Sequence, residues 1–82
     1  MVKDITVYTS NNCAYCGMVK QYLNIKGRNY NEVNIEEQPE KQSEIMAMAG
    51  SRTVPVTVVT KTDGSKDVTI GYNVAKLASA IG

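Results

Sequence analysis

Cys13 and Cys16 are the only two cysteines of this 82-residue chain, and two residues separate them. On a helix that spacing puts both sulfurs on one face, where they can close a disulfide. The chain has no histidine, which excludes Cys-His catalysis, Ser-His catalysis and mixed Cys/His zinc sites together. A structural zinc ion wants four ligands, and one Cys-x-x-Cys supplies two, so no metal site within one chain is expected. Three readings of the pair remain. It can be a dithiol–disulfide couple, a zinc or iron–sulfur centre pooled by two chains, or two inert buried thiols; the redox couple is preferred.

Thiol chemistry runs through the thiolate, which the unpaired N–H groups and positive end of a helix N-terminus stabilise. The strand pattern Ile5-Thr6-Val7-Tyr8 stops shortly before Cys13, and a helical pattern starts shortly after it. Cys13 is therefore expected at the exposed mouth of a strand-to-helix turn, as the nucleophile, with a thiol pKa below the ordinary cysteine value. Cys16 is expected one turn inside, as the resolving thiol. Asn12 or Ser10 is expected to hold the turn.

The elements that position this pair follow from periodicity. Ile5–Tyr8 reads as a central strand. From Tyr15 to Lys26 apolar residues recur at Met18, Val19, Tyr22, Leu23 and Ile25, which predicts a helix that Gly27 stops. Tyr30 to Ile35 reads as a second strand, parallel to the first through a right-handed crossover. Pro39 opens a second helix with Ile45, Met48 and Ala49 as its apolar stripe, Met46, Ala47 and Met48 as core filling, and Gly50 as its end. Residues 51–55 form a loop. Val56–Thr60 and Lys66–Ile70 make a hairpin about the turn Thr62-Asp63-Gly64-Ser65. Asn73 caps a last helix with Val74, Leu77, Ala78 and Ile81 facing inward. The order is βαβαββα.

The length fits one small domain, residues 1–82. Hydrophobic content is 43% and charged content 21%, with nine basic and eight acidic residues and a net charge of +1. That balance gives no reason to expect a nucleic-acid partner, and the charges are scattered along the chain. No apolar stretch reaches the length of a membrane span, and the start Met1-Val2-Lys3-Asp4-Ile5 has no long apolar core. A cytosolic monomer is expected.

Cys13-Ala14-Tyr15-Cys16 after a strand, Thr53-Val54-Pro55-Val56 further on, and Gly71-Tyr72 before the last helix together resemble the glutaredoxin branch of the thioredoxin superfamily. The resemblance covers nearly the whole chain. It implies an α/β thioredoxin-like fold with a four-stranded mixed sheet in the order 2-1-3-4. The first and third helices would share one face and the second would cover the other. It also implies a thiol–disulfide oxidoreductase acting on a disulfide-containing protein substrate. Tyr15, Thr53, Val54, Pro55, Gly71 and Tyr72 would line the substrate site, with Pro55 cis and the Val54 backbone offered to an extended substrate segment. No cofactor is implied; glutathione is a candidate co-substrate. Where glutathione-using relatives carry an acidic residue before the last helix, this chain has Gly71-Tyr72-Asn73-Val74-Ala75. NrdH-type redoxins, which look like glutaredoxins but draw electrons from thioredoxin reductase, fit that gap. Ala14 stands where proline is common, which keeps an iron–sulfur carrier, a Cys13-bridged dimer, as the alternative.

Overall fold

Alternation of β-branched and aromatic residues makes strand β1 the axis of the molecule. In the computed structural model, which describes residues 2–50 and 54–81 and only the backbone of Ala49, β1 spans Val2–Thr9. It pairs in parallel with β2 (Asn31–Asn34) and antiparallel with β3 (Val56–Lys61), which pairs in turn with β4 (Lys66–Ile70). The sheet order is β2-β1-β3-β4, as expected. β1 is longer than its apolar pattern because Val2 and Asp4 still pair with Lys61 and Thr60. Backbone pairing does not need an apolar side chain.

Alternate residues of the two central strands face opposite ways, so the sheet divides two cores. Helices α1 (Ala14–Ile25) and α3 (Val74–Ile81) cover one face, where Val19, Leu23, Leu77, Ala80 and Ile81 pack on Ile5, Val7 and Val59. Helix α2 (Gln42–Ala49) covers the other, with Ile45 packed among Tyr8, Ile35, Val56 and Val58. This is a thioredoxin-like fold. Pro39 opens a 3-10 turn, Pro39–Lys41, ahead of α2 rather than α2 itself.

The inward stripes are narrower than the spacing predicts. On α1 only Cys16, Val19 and Leu23 are buried; Met18 and Ile25 are exposed. On α2, Met46 and Ala47 are exposed and Met48 is half-buried. On α3, Ala80 takes the inward place expected of Ala78, and Val74 is exposed. One flat sheet can cover only one strip of each helix.

The end of α1 is fixed by hydrogen bonds that orphan carbonyls need. Arg28 N–H donates to the Leu23 carbonyl (2.9 Å) and Gly27 N–H to that of Asn24 (3.1 Å), with Gly27 at φ +70°. This paired closure requires the left-handed conformation that glycine adopts at little cost.

Candidate active site

The strand registers bring the predicted site residues to one end of the sheet. Tyr8 pairs with Val56, and Val56 with Ile70. The segment after β1, the segment before β3 and the segment after β4 therefore emerge side by side. The first carries Cys13, the second Val54-Pro55 and the third Gly71-Tyr72. The Gly71 N–H donates to the Pro55 carbonyl at 2.8 Å and ties two of these segments together. The Val54–Pro55 peptide is cis. Thr53, also expected here, lies outside the described residues.

Cys13 is the N-cap of α1. Its backbone is extended (φ −138°, ψ 103°) and its sulfur accepts the Cys16 N–H at 3.1 Å. The two cysteines are joined in a disulfide with their Cα atoms 5.3 Å apart. Cys13 is partly exposed and Cys16 is 2% exposed. The first turn of α1 carries no acidic side chain, so the positive helix end is left to the sulfur. Lys20, one turn further on, is 3.1 Å from Glu32. Glu32 also accepts the hydroxyl of Thr9, the last residue of β1, at 2.9 Å. The Lys20 ammonium, foremost, holds the Glu32 carboxyl below its ordinary value; burial opposes this and the Thr9 hydroxyl assists.

The turn before Cys13 is held by a residue that sequence reasoning missed. The side-chain amide of Asn34, at the end of β2, donates to Asn11 Oδ1 at 2.7 Å. Asn34 Oδ1 accepts the N–H groups of Glu36 and Glu37 at 2.9 and 3.3 Å. The expected holders, Asn12 and Ser10, flank Asn11, the turn residue that Asn34 bonds. No local signal marks the bond to Asn11, which is 23 residues away. Asn73 caps α3 as expected, its Oδ1 accepting the Lys76 N–H at 3.2 Å. Tyr15 and Tyr72 are both exposed, at 60% and 36%, and flank the site without being packed into it. Among the described residues no group of three or more histidine, cysteine or acidic side chains converges as a metal site would require.

The glutaredoxin family model matches residues 5–62. The chain belongs to the glutaredoxin family. A glutaredoxin-like protein, NrdH, of Lactococcus lactis is 46% identical over 59 residues, 72% of this chain and 78% of its own. The crystal structure of a glutaredoxin from Archaeoglobus fulgidus superposes with a TM-score of 0.80 at 24% identity, covering 95% of this chain and 85% of its own. The NrdH-redoxin of Escherichia coli, described as having a thioredoxin-like activity profile, superposes with a TM-score of 0.69 at 25% identity, covering 87% and 86%. This glutaredoxin-like redox protein thus carries a Cys-x-x-Cys pair at disulfide distance on the family's fold. Among the described residues no helix is long and apolar enough to cross a membrane.

Proposed function

We propose that the protein is a thiol–disulfide oxidoreductase that reduces protein disulfides and is itself reduced by a thioredoxin reductase. The observation that carries this reading is the Cys13 sulfur at the start of α1, accepting the Cys16 N–H and bonded to Cys16. In the reduced protein the Cys13 thiolate attacks one sulfur of a substrate disulfide. A Cys13–substrate bond forms, the substrate S–S bond breaks, and the leaving sulfur takes up a proton. The Cys16 thiolate then attacks Cys13, breaks the mixed disulfide and releases the second substrate thiol. Two electrons and the two cysteine protons have passed to the substrate. The difference in exposure supports this division of roles, since a buried sulfur reaches its neighbour but not a protein substrate. Val54, beside the cis Pro55, offers its backbone to the substrate chain in the manner of an added strand. Mutual bonding of the two sulfurs favours exchange over cluster bridging.

Support for a protein reductase over glutathione comes from Asn73. No carboxylate follows Gly71, and the Asn73 oxygen is already engaged by Lys76 N–H. It is poorly placed to hold a glutathione ammonium group. The relatives named NrdH point the same way. The test is NADPH consumption with insulin as the disulfide, driven either by thioredoxin reductase or by glutathione with glutathione reductase. Turnover is expected with the first and at least roughly tenfold less with the second, since each lost charge-assisted contact is worth on the order of a factor of ten. The reverse preference overturns the assignment of the reductant. Cys16→Ser is expected to accumulate a mixed disulfide and Cys13→Ser to abolish reduction. Equal residual activity in both overturns the division of roles.

A further inference from the structure

The fold sorts charges that look scattered in the sequence. Glu36, Glu37, Glu40 and Glu44 all lie between the end of β2 and the first turn of α2, with a single cation, Lys41, which pairs with Glu44 at 2.9 Å. Among the described residues, α1 with the turn after it and α3 carry Lys20, Lys26, Arg28 and Lys76 and no carboxylate. Lys20 is paired with Glu32. Arg28 donates to the main-chain carbonyl of Ile81, a neutral acceptor, and has no carboxylate partner among the described residues. Lys26 Nζ lies 5.7 Å from the centre of the Tyr22 ring, a contact that steadies a cation without neutralising it. Asp4, which lines a separate hollow with Arg28, is turned to the Asn31 amide at 3.0 Å.

Tyr22, Lys26 and Arg28 face Ala78 and Ile81 across an open hollow between α1 and α3. Toward the cysteine end the same helices expose Tyr15, Met18 and Val74. Tyr15, Met18 and Tyr22 stand at i, i+3 and i+7, beside the buried stripe of α1. An apolar track thus leads from the mouth of Cys13 to a cationic end.

We propose that this groove docks an acidic segment of the protein whose disulfide is reduced. Apolar residues next to the partner's reactive cysteine lie on Tyr15, Met18 and Tyr22, and a carboxylate beyond them meets Lys26 and Arg28. The proposal rests on the exchange chemistry above and adds the class of partner. The 12 residues of α1 span about 18 Å at 1.5 Å each. An extended segment covers that length in about five or six residues, which sets the spacing between the partner's cysteine and its acidic group.

The test uses three synthetic peptides with a Cys-x-x-Cys disulfide followed by two glutamates, two glutamines or two lysines at the fifth and sixth positions after it. Their reduction by the dithiothreitol-reduced full chain is timed at low and high salt, beside the uncharged hydroxyethyl disulfide. At low salt the glutamate peptide is expected to react about tenfold faster than the lysine peptide, and the advantage to collapse at high salt. Lys26→Gln is expected to shrink the preference and Lys26→Glu to abolish it, with the hydroxyethyl disulfide rate unchanged in both. Equal rates for the three peptides, or a glutamate preference that survives Lys26→Glu, overturn the proposal. So does salt-sensitive self-association in sedimentation, which gives the groove to the acidic side of a second copy. Loss of the hydroxyethyl disulfide reaction in the unaltered protein overturns the exchange chemistry itself, a separate failure.

Discussion

The Cys16 N–H points at the Cys13 sulfur across 3.1 Å, so that sulfur occupies the place a serine or aspartate oxygen takes at other helix starts. If this cap is a thiolate in the reduced protein, the helix end would stabilise it, and the first turn carries no acidic side chain to oppose it. Placing a carboxylate there should compete with it. Ala14→Asp is expected to raise the Cys13 thiol pKa by roughly half a unit to one unit, as a like charge a few ångströms away in a wet site should. Ala14→Asn should leave it unchanged. The pH dependence of iodoacetamide alkylation measures both; an unshifted Asp variant would remove the helix end as the source of activation.

Two glycines should respond to alanine with opposite sign. Gly71 sits at φ +76° with no atom of the described residues beyond its chain neighbours within 4 Å of an added Cβ, so the backbone conformation is what opposes alanine. Gly71→Ala should cost roughly 1 kcal/mol. Gly17 lies inside α1, also with open space about it. Gly17→Ala should stabilise the fold by roughly 0.5–1 kcal/mol. Urea midpoints at constant slope decide both.

Thr57 is fully buried in β3, and its hydroxyl has no hydrogen-bond partner among the described residues. An unpaired buried hydroxyl is a loss that a methyl group of the same shape does not incur. Thr57→Val is expected to stabilise by about 1 kcal/mol. A drop in the urea midpoint would mean that the hydroxyl has a partner in solution.

Glu32 titrates lower in the folded protein than its ordinary value of 4.5, chiefly because Lys20 bonds its carboxylate. A depressed folded pKa contributes stability above the unfolded value and loses it as pH falls through the folded one. Both side chains are about a third exposed or more, so water screens the pair and its contribution stays under about 1 kcal/mol. Glu32→Gln should therefore lower the urea midpoint slightly at pH 7 and not at all at pH 3. A deficit at pH 3 equal to that at pH 7 would contradict the pairing.

Periodicity placed the four strands and three α-helices, because each helix buries one strip and the central strands bury apolar residues on both faces. Periodicity does not say how wide a helix's strip is. Met18 and Ile25 share the spacing of Val19 and Leu23, yet one sheet cannot reach round the helix to cover them. Ala80 replaces Ala78 inside for the same reason, a rotation of α3 set by its packing. The cysteine pair was legible because both ends of its chemistry sit within four residues. Asn34 was not, because its bond to Asn11 reaches from the end of β2 to the turn after β1. Nor was the lack of a partner for Thr57, which looks like any β-branched strand residue. The sign of each face was hidden as well. Lys26 and Glu36 are ten positions apart in the chain, and β2 lies between them, with Lys26 at the end of α1 and Glu36 in the turn past the end of β2.

That separation gives a nearly neutral molecule an electrical axis. With a net charge of +1 the protein would barely migrate in a field at neutral pH. Its cationic helix pair and acidic α2 side nevertheless make it turn in one. A charged surface approaching in solution exerts such a field and applies a torque before any atoms touch. Under such a torque the α1–α3 side would lead toward a negative surface and the acidic segment around the start of α2 would trail.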